Sequence, residues 1–394
     1  MAGRTSSRGK IPATRAGRKT TAFLPFARPT IDNKTIATVG AVLRTGWIAS
    51  GPKVKAFEAA LSRYLGGRPV RTFTSATGAL EVALQVCGIG PGDEVIVPAM
   101  TFAATANVVI RVGARPVFVD VELATRNIDV VQAERAATAR TRAIMPVHFA
   151  GLPVAMDALY GLARSRGLRV VEDAAHAIGS SHQKRRIGSF GDLVAFSFHP
   201  NKNMTTIEGG ALSFANPAEV GTAEQLRFHG IAPGADGEMD VVAAGGKFNL
   251  SDVAACIGLD QLPRLEGFNQ RRRKLVARYF ERLRGNSALL LPARGDAGHS
   301  WHMFAPLLEL DQLRIGRREF IARMRDRGIG VGVHYPALHL FSFYQQQGYR
   351  PGQFPNAERI GRSTVTLPLF PRMTFTDVDR VCEACTRILA ETRR

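Results

Sequence analysis

Between residues 70 and 215, short apolar runs alternate with segments whose apolar residues recur every three or four positions. The runs are Glu94–Pro98, Arg115–Val121, Ala143–Phe149, Arg169–Glu172, Leu193–Phe198 and Gly210–Phe214. They are apolar at successive rather than alternate positions, the pattern of parallel strands buried on both faces. Between them, Gly78–Cys87 puts Leu80, Ala83, Leu84 and Cys87 on one helical face. Strand and helix in alternation predict an α/β fold: a mostly parallel central sheet sandwiched by helices.

After Leu262 the pattern changes. Arg264–Arg284 reads as a long basic helix, His302–Leu308 as a strand, Arg317–Arg327 as a helix and Gly330–His334 as a strand. An amphipathic helix starts near Thr376. This order predicts a smaller α+β unit, with large and small domains at residues 21–265 and 266–394.

Composition changes the picture in two places. The chain of 394 residues carries 52 Lys+Arg against 33 Asp+Glu, a formal charge of +19. Six of those charges, Arg4, Arg8, Lys10, Arg15, Arg18 and Lys19, fall in the first twenty residues, which contain no acid. Ser, Thr, Gly and Pro fill the gaps, so residues 1–20 read as a disordered basic tail. Basicity invites a nucleic-acid reading. No interleaving of aromatic and basic residues and no helix-turn-helix text supports it, so no nucleic-acid partner is expected. Four cysteines give no disulfide framework and point to a reducing, cytoplasmic setting. No apolar run approaches the length of a membrane span. Cys382 and Cys385 form a CxxC, but on the last amphipathic helix, and read as structural. No metal site is expected.

Three short segments carry candidate chemistry. Asp173 leaves an apolar run in Val170-Val171-Glu172-Asp173, at a strand end where such sheets bind ligands. Lys202 follows the run ending Ser197-Phe198, where loss of water could lower its amine pKa and let it form a Schiff base. Thr74-Ser75-Ala76-Thr77-Gly78 opens a helix whose free N–H groups suit a phosphate. Each is weak alone. Phosphate cradle, carboxylate and amine together are what pyridoxal 5'-phosphate (PLP) requires.

With these residues in place the chain resembles the DegT/DnrJ/EryC1/StrS family of sugar aminotransferases, which have the type I PLP-dependent aminotransferase fold. The matching text is Gly46-Trp47-Ile48, TSATGAL, GDEVIVPAMTFAATAN, PVFVDV, MPVHFAG, VEDAAHAIGS, FSFHPNKNMTTIEGGAL, GGKFNLSDVAA, HSWHMF, RGIGVGVHYPALH, FPNAERI and LPLFPRMT. It covers about Phe23 to Ile388. The resemblance implies that Lys202 holds the cofactor and shuttles the proton, with Asp173 on the pyridine nitrogen. It places His176 near the phenolic oxygen and Phe102 on the ring. Ala76, Thr77 and Ser197 would bind the phosphate, with Asn249 reaching it from a neighbouring subunit in a homodimer with shared active sites. Trp47 and His334 would contact substrate.

The implied reaction moves an amino group from glutamate to a nucleotide-linked keto-sugar. Within the family the text is most similar to members acting on a UDP-4-keto-pentose of the L-arabinose type, in lipid A and lipopolysaccharide biosynthesis. Other 4-keto- or 3-keto-hexoses are the alternative acceptors. Sugar dehydratases of the family carry His in place of the lysine, and Lys202 argues against that reading. The Asp173 and Lys202 pair also argues against a member that has lost catalysis.

Overall fold

The computed structural model describes residues 22–394; the basic segment 1–20 lies outside them. The centre is a sheet of seven strands: β1 (Val70–Phe73), β2 (Glu94–Pro98), β3 (Arg115–Val119), β4 (Thr141–Ile144), β5 (Arg169–Asp173), β6 (Leu193–Ser197) and β7 (Gly210–Phe214). Their order across the sheet is β1, β7, β6, β5, β4, β2, β3. The strands β2 to β6 pair in parallel. β7 is antiparallel to both β6 and β1. The mostly parallel sheet expected from the sequence is found, and only the parallel reading of Gly210–Phe214 is corrected: apolarity on both faces reports burial and says nothing of strand direction.

Alternation along each strand feeds two cores. Val171, Val97 and Leu212 join one apolar cluster, while their neighbours Val170, Ile96 and Ala211 join the other. The helix Ala76–Val86 covers the first face; Pro52–Tyr64, through Phe57 and Leu61, covers the second. A third cluster is built by the helices Leu265–Leu283 and Phe375–Glu391 with Phe304, Phe320 and Val365. Leu24, far upstream, packs there too and bridges to Ile329.

Arg115–Val121 and Leu193–Phe198 end at Val119 and Ser197, and three other expected strands are much shorter or absent. Ala143–Phe149 stops at Ile144, because Pro146 has no N–H for the ladder and Phe149 starts a tight turn. In His302–Leu308 only Leu307–Leu308 forms a strand, paired with Leu289–Leu290, and Phe304 makes a single bridge to Leu367. Gly330–His334 forms no strand; Gly332 makes a single bridge to Thr366. Val70–Phe73 is a strand that the apolar pattern did not reveal. Among the described residues no helix is long and apolar enough to cross a membrane.

Candidate active site

β1, β5 and β6 run in the same direction, so their carboxyl ends meet at one edge of the sheet. Asp173 ends β5, Ser197 ends β6, and the helix Ala76–Val86 follows β1. A cavity of about 420 Å³ opens there. Ser75, Ala76, Thr77, Thr101, Phe102, Asp173, His176, Ser197, Lys202, His334 and Tyr335 line it.

The helix start is built for close approach. Ser75 caps it, its hydroxyl accepting from the Gly78 N–H at 3.1 Å. The Ala76 and Thr77 N–H groups precede the first intrahelical bond, Ala79 N–H to Ser75 O, and carry the positive end of the helix dipole. Gly210 opens β7 directly beneath: a Cβ there would lie 2.4 Å from the Ser75 carbonyl carbon and 2.5 Å from the Ala76 nitrogen. Glycine is therefore the residue that lets the helix start sit on the sheet.

Asp173 is buried and tied down. Thr105 Oγ1 donates to one carboxylate oxygen at 2.8 Å and the Ala175 N–H to the other at 3.1 Å. With its proton committed to Asp173, Thr105 accepts from Thr101 Oγ1 at 2.9 Å. Loss of water pushes the Asp173 pKa up, against the pull of the Thr105 and Ala175 hydrogen bonds and of Lys202. Lys202 moves the opposite way. Loss of water takes its amine down to about 8, and the Asp173 carboxylate resists. A group whose neutral amine is reached near pH 8 is fit to attack an aldehyde.

His176 is buried and neutral, its pKa held well below the ordinary value by loss of water and the nearby Lys202 charge. Its Nδ1 accepts from the Ala150 N–H at 3.3 Å, and Nε2 lies 3.2 Å from the Tyr335 hydroxyl. Its ring stacks on His302 at 4.4 Å between centroids. His302 is held in turn by Asn203, whose amide also bonds Asn269. Phe102 is 58 % exposed, lines the cavity and packs 5.8 Å from the Tyr335 ring. His334 Nδ1 lies 2.8 Å from Thr366 Oγ1, with its pKa lowered to about 4 by loss of water.

Eight of the ten residues singled out from the sequence line this one cavity. Two lie elsewhere. Asn249 bonds Ser50 and Lys247 and does not line its own chain's cavity. Trp47 is 60 % exposed, its indole N–H donating to Ser50 O at 3.3 Å. Tyr335, Thr105 and Thr101 were missed. They lie inside the matching text but bear no charge to single them out, and only the fold brings Tyr335 to His176. The CxxC is structural as read: Cys382 and Cys385 are buried free thiols in the third core cluster.

The donor set fits PLP: free N–H groups for the phosphate, a buried carboxylate for the ring nitrogen, and a desolvated lysine for the aldehyde. A mostly parallel seven-stranded sheet with this set at its carboxyl edge defines a PLP-dependent aminotransferase of the type I fold. Solved structures agree. The PLP form of Spr1654 from Streptococcus pneumoniae has a TM-score of 0.88 and 34 % identity, covering 94 % of this chain and 99 % of its own. Helicobacter pylori PseC, an aminotransferase involved in pseudoaminic acid biosynthesis, has a TM-score of 0.88 and 26 % identity, covering 94 % of this chain and all of its own. The sequence profile of the DegT/DnrJ/EryC1/StrS aminotransferases matches residues 29–386, and the chain belongs to that family. Among its relatives is the spore coat polysaccharide biosynthesis protein SpsC of Bacillus subtilis, 40 % identical over 375 residues, 92 % of this chain and 96 % of SpsC. This protein is a PLP-dependent sugar aminotransferase.

Proposed function

We propose that the protein transfers an amino group from an amino acid, glutamate first among the candidates, to a nucleotide-linked keto-sugar destined for a surface polysaccharide. The observation that carries the amine chemistry is the pairing of a desolvated Lys202 with the buried Asp173 in one cavity. SpsC, a polysaccharide biosynthesis protein, supports the product class. A UDP-4-keto-pentose of the L-arabinose type is the first acceptor to try, on the strength of the SFH…KN…EGG text.

Bound PLP supplies an electron sink and an aldehyde. The chain's residues do the rest in this proposal. The Ala76 and Thr77 N–H groups and the Ser197 hydroxyl hold the phosphate. Asp173 keeps the ring nitrogen protonated, which its immobile hydrogen bonds to Thr105 and Ala175 make possible without reorganisation. Lys202 would hold the cofactor at its aldehyde, and its desolvated amine would serve as the group that moves the proton. Phe102 would stack on the cofactor ring, His176 would stand near its oxygen, and His334 would meet substrate; all three line the cavity.

The site is shared between two subunits in this reading. Asn249 and Trp47 do not line their own chain's cavity, and Trp47 and Ile48 beside it in sequence are exposed. Four free thiols suit the cytoplasm. Incubation with PLP, glutamate and a panel of nucleotide keto-sugars tests the function. An aminated sugar detected by mass supports it; no product from any 4-keto or 3-keto acceptor overturns it.

A further inference from the structure

We propose that Tyr335 contacts the sugar substrate, its phenolic O–H donating a hydrogen bond to the oxygen on the reacting carbon of the keto acceptor, with the direction of that O–H imposed by His176. The proposal rests on the reading of this cavity as the site of sugar amination.

The argument is an accounting of protons. The Ala150 N–H donates to His176 Nδ1 at 3.3 Å. An imidazole nitrogen that accepts carries no hydrogen, and a neutral ring has only one. His176 is held neutral by its burial. Its hydrogen is therefore on Nε2, which faces Tyr335 Oη at 3.2 Å. The ring donates and the phenol accepts, so the phenol's own hydrogen cannot point at His176. Among the described residues Oη makes no other hydrogen bond. That hydrogen is free for a ligand, and Tyr335 lines the cavity.

The surroundings fix the relay. Ala150 sits in a tight turn at φ 55°, closed by the Gly151 N–H to His148 O bond. His176 is clamped by the stacked His302 ring, which Asn203 anchors. Tyr335 runs nearly parallel to His176, at 19°, and packs on Phe102 and His334. Burial pushes the phenol's pKa well up, so it keeps its hydrogen and acts as a neutral donor. The free N–H groups at Ala76 and Thr77 suit an anion, whereas Tyr335 stands beside Phe102 and His334. A lone, aimed, neutral donor suits a carbonyl oxygen. It draws electron density from the carbon that the amine attacks. No proton leaves the tyrosine; the oxygen departs as water with two hydrogens from the attacking amine.

Two measurements test this. The first is the histidine tautomer in cofactor-free protein, read by long-range 1H–15N NMR with His176→Gln used for assignment. The expected result is a neutral His176 with its hydrogen on Nε2. A hydrogen on Nδ1 overturns the relay whatever the enzyme's substrate. The second is the single-turnover reaction of pyridoxamine-phosphate-loaded protein with a UDP-linked 4-keto sugar. Tyr335→Phe keeps the ring and loses the hydroxyl, and should slow this step about a hundredfold. Its affinity for PLP, read by fluorescence titration, should change by less than threefold. His176→Gln still offers one acceptor and one donor and should retain at least ten times the rate of His176→Leu. A Tyr335→Phe step within threefold of the parent, or equal loss in His176→Gln and His176→Leu, overturns the proposal. Failure of the parent protein on every keto-sugar is a different result: it removes the proposed function and the substrate contact with it, while the NMR result still judges the relay.

Discussion

Two carboxylates stand side by side on β5, and they belong to different regions of the molecule. Alternation along the strand sends Glu172 to one face and Asp173 to the other. Glu172 is fully buried and fully used. His148 Nε2 donates to it at 2.8 Å, its Nδ1 being occupied by the Val154 N–H, and Tyr160 donates at 2.6 Å. Gly191 makes room, since a Cβ there would lie 2.1 Å from a Glu172 oxygen. Asp173 has the same depth but opens onto a cavity, beside a lysine whose amine is desolvated. One carboxylate closes a network and the other leaves capacity for a ligand. Burial alone does not mark a catalytic group; burial next to open space does.

The comparison breaks most sharply at Lys202, which has no counterpart near Glu172. Lys202→Ala should lower the rate of amine transfer by about 10³-fold or more, read in the glutamate half-reaction. Asp173→Asn should follow, at about a hundredfold in rate, with its thermal midpoint little changed, because the Thr105 hydroxyl can turn to accept from the new NH2 group and donate to Thr101 while the Ala175 N–H keeps its oxygen. Glu172→Gln should do the reverse. It sets an NH2 group against a donor and should lose about 1–3 kcal/mol in urea unfolding, with kcat per folded molecule within twofold of the parent. If both variants lost activity at equal stability, the distinction drawn between the two faces would be wrong.

Acidity gives a finer cut. Below about pH 8 the Lys202 amine is protonated and cannot attack. PLP loading should therefore speed up about tenfold per unit of pH below 8 and level off above it, read by stopped-flow absorbance. The same depression has a stability sign. The folded state disfavours charged Lys202, so cofactor-free protein should gain stability as pH rises from about 8 towards the ordinary lysine value. Lys202→Met should flatten that slope; an unchanged slope counts against the assignment.

The phosphate end should show smaller effects. Gly210→Ala drives a methyl group into the Ser75–Ala76 peptide and should cost roughly 1–3 kcal/mol, with weaker PLP binding. Ser75→Ala removes only the cap and should cost about 1 kcal/mol, measured by thermal unfolding.

Much of this was legible in the chain. Glu94–Pro98 and Gly210–Phe214 have the predicted ends because their apolar runs start and stop sharply. Asp173, Lys202 and the Ser75 helix start were readable because each leaves or opens a regular element. What could not be read depends on contacts distant in sequence. The reversal of β7 is set by its neighbours. Tyr335 matters through His176, 159 positions away. Pro146 was an available sign that the fourth strand would stop short.

The central claim is that Lys202, in the cavity with Asp173, is the group that holds the cofactor. Borohydride reduction of the PLP-loaded protein, followed by digestion and mass mapping, tests it in one step. The account predicts one phosphopyridoxyl group, on the peptide containing Lys202. A group on another lysine, with Lys202 unmodified, would contradict it.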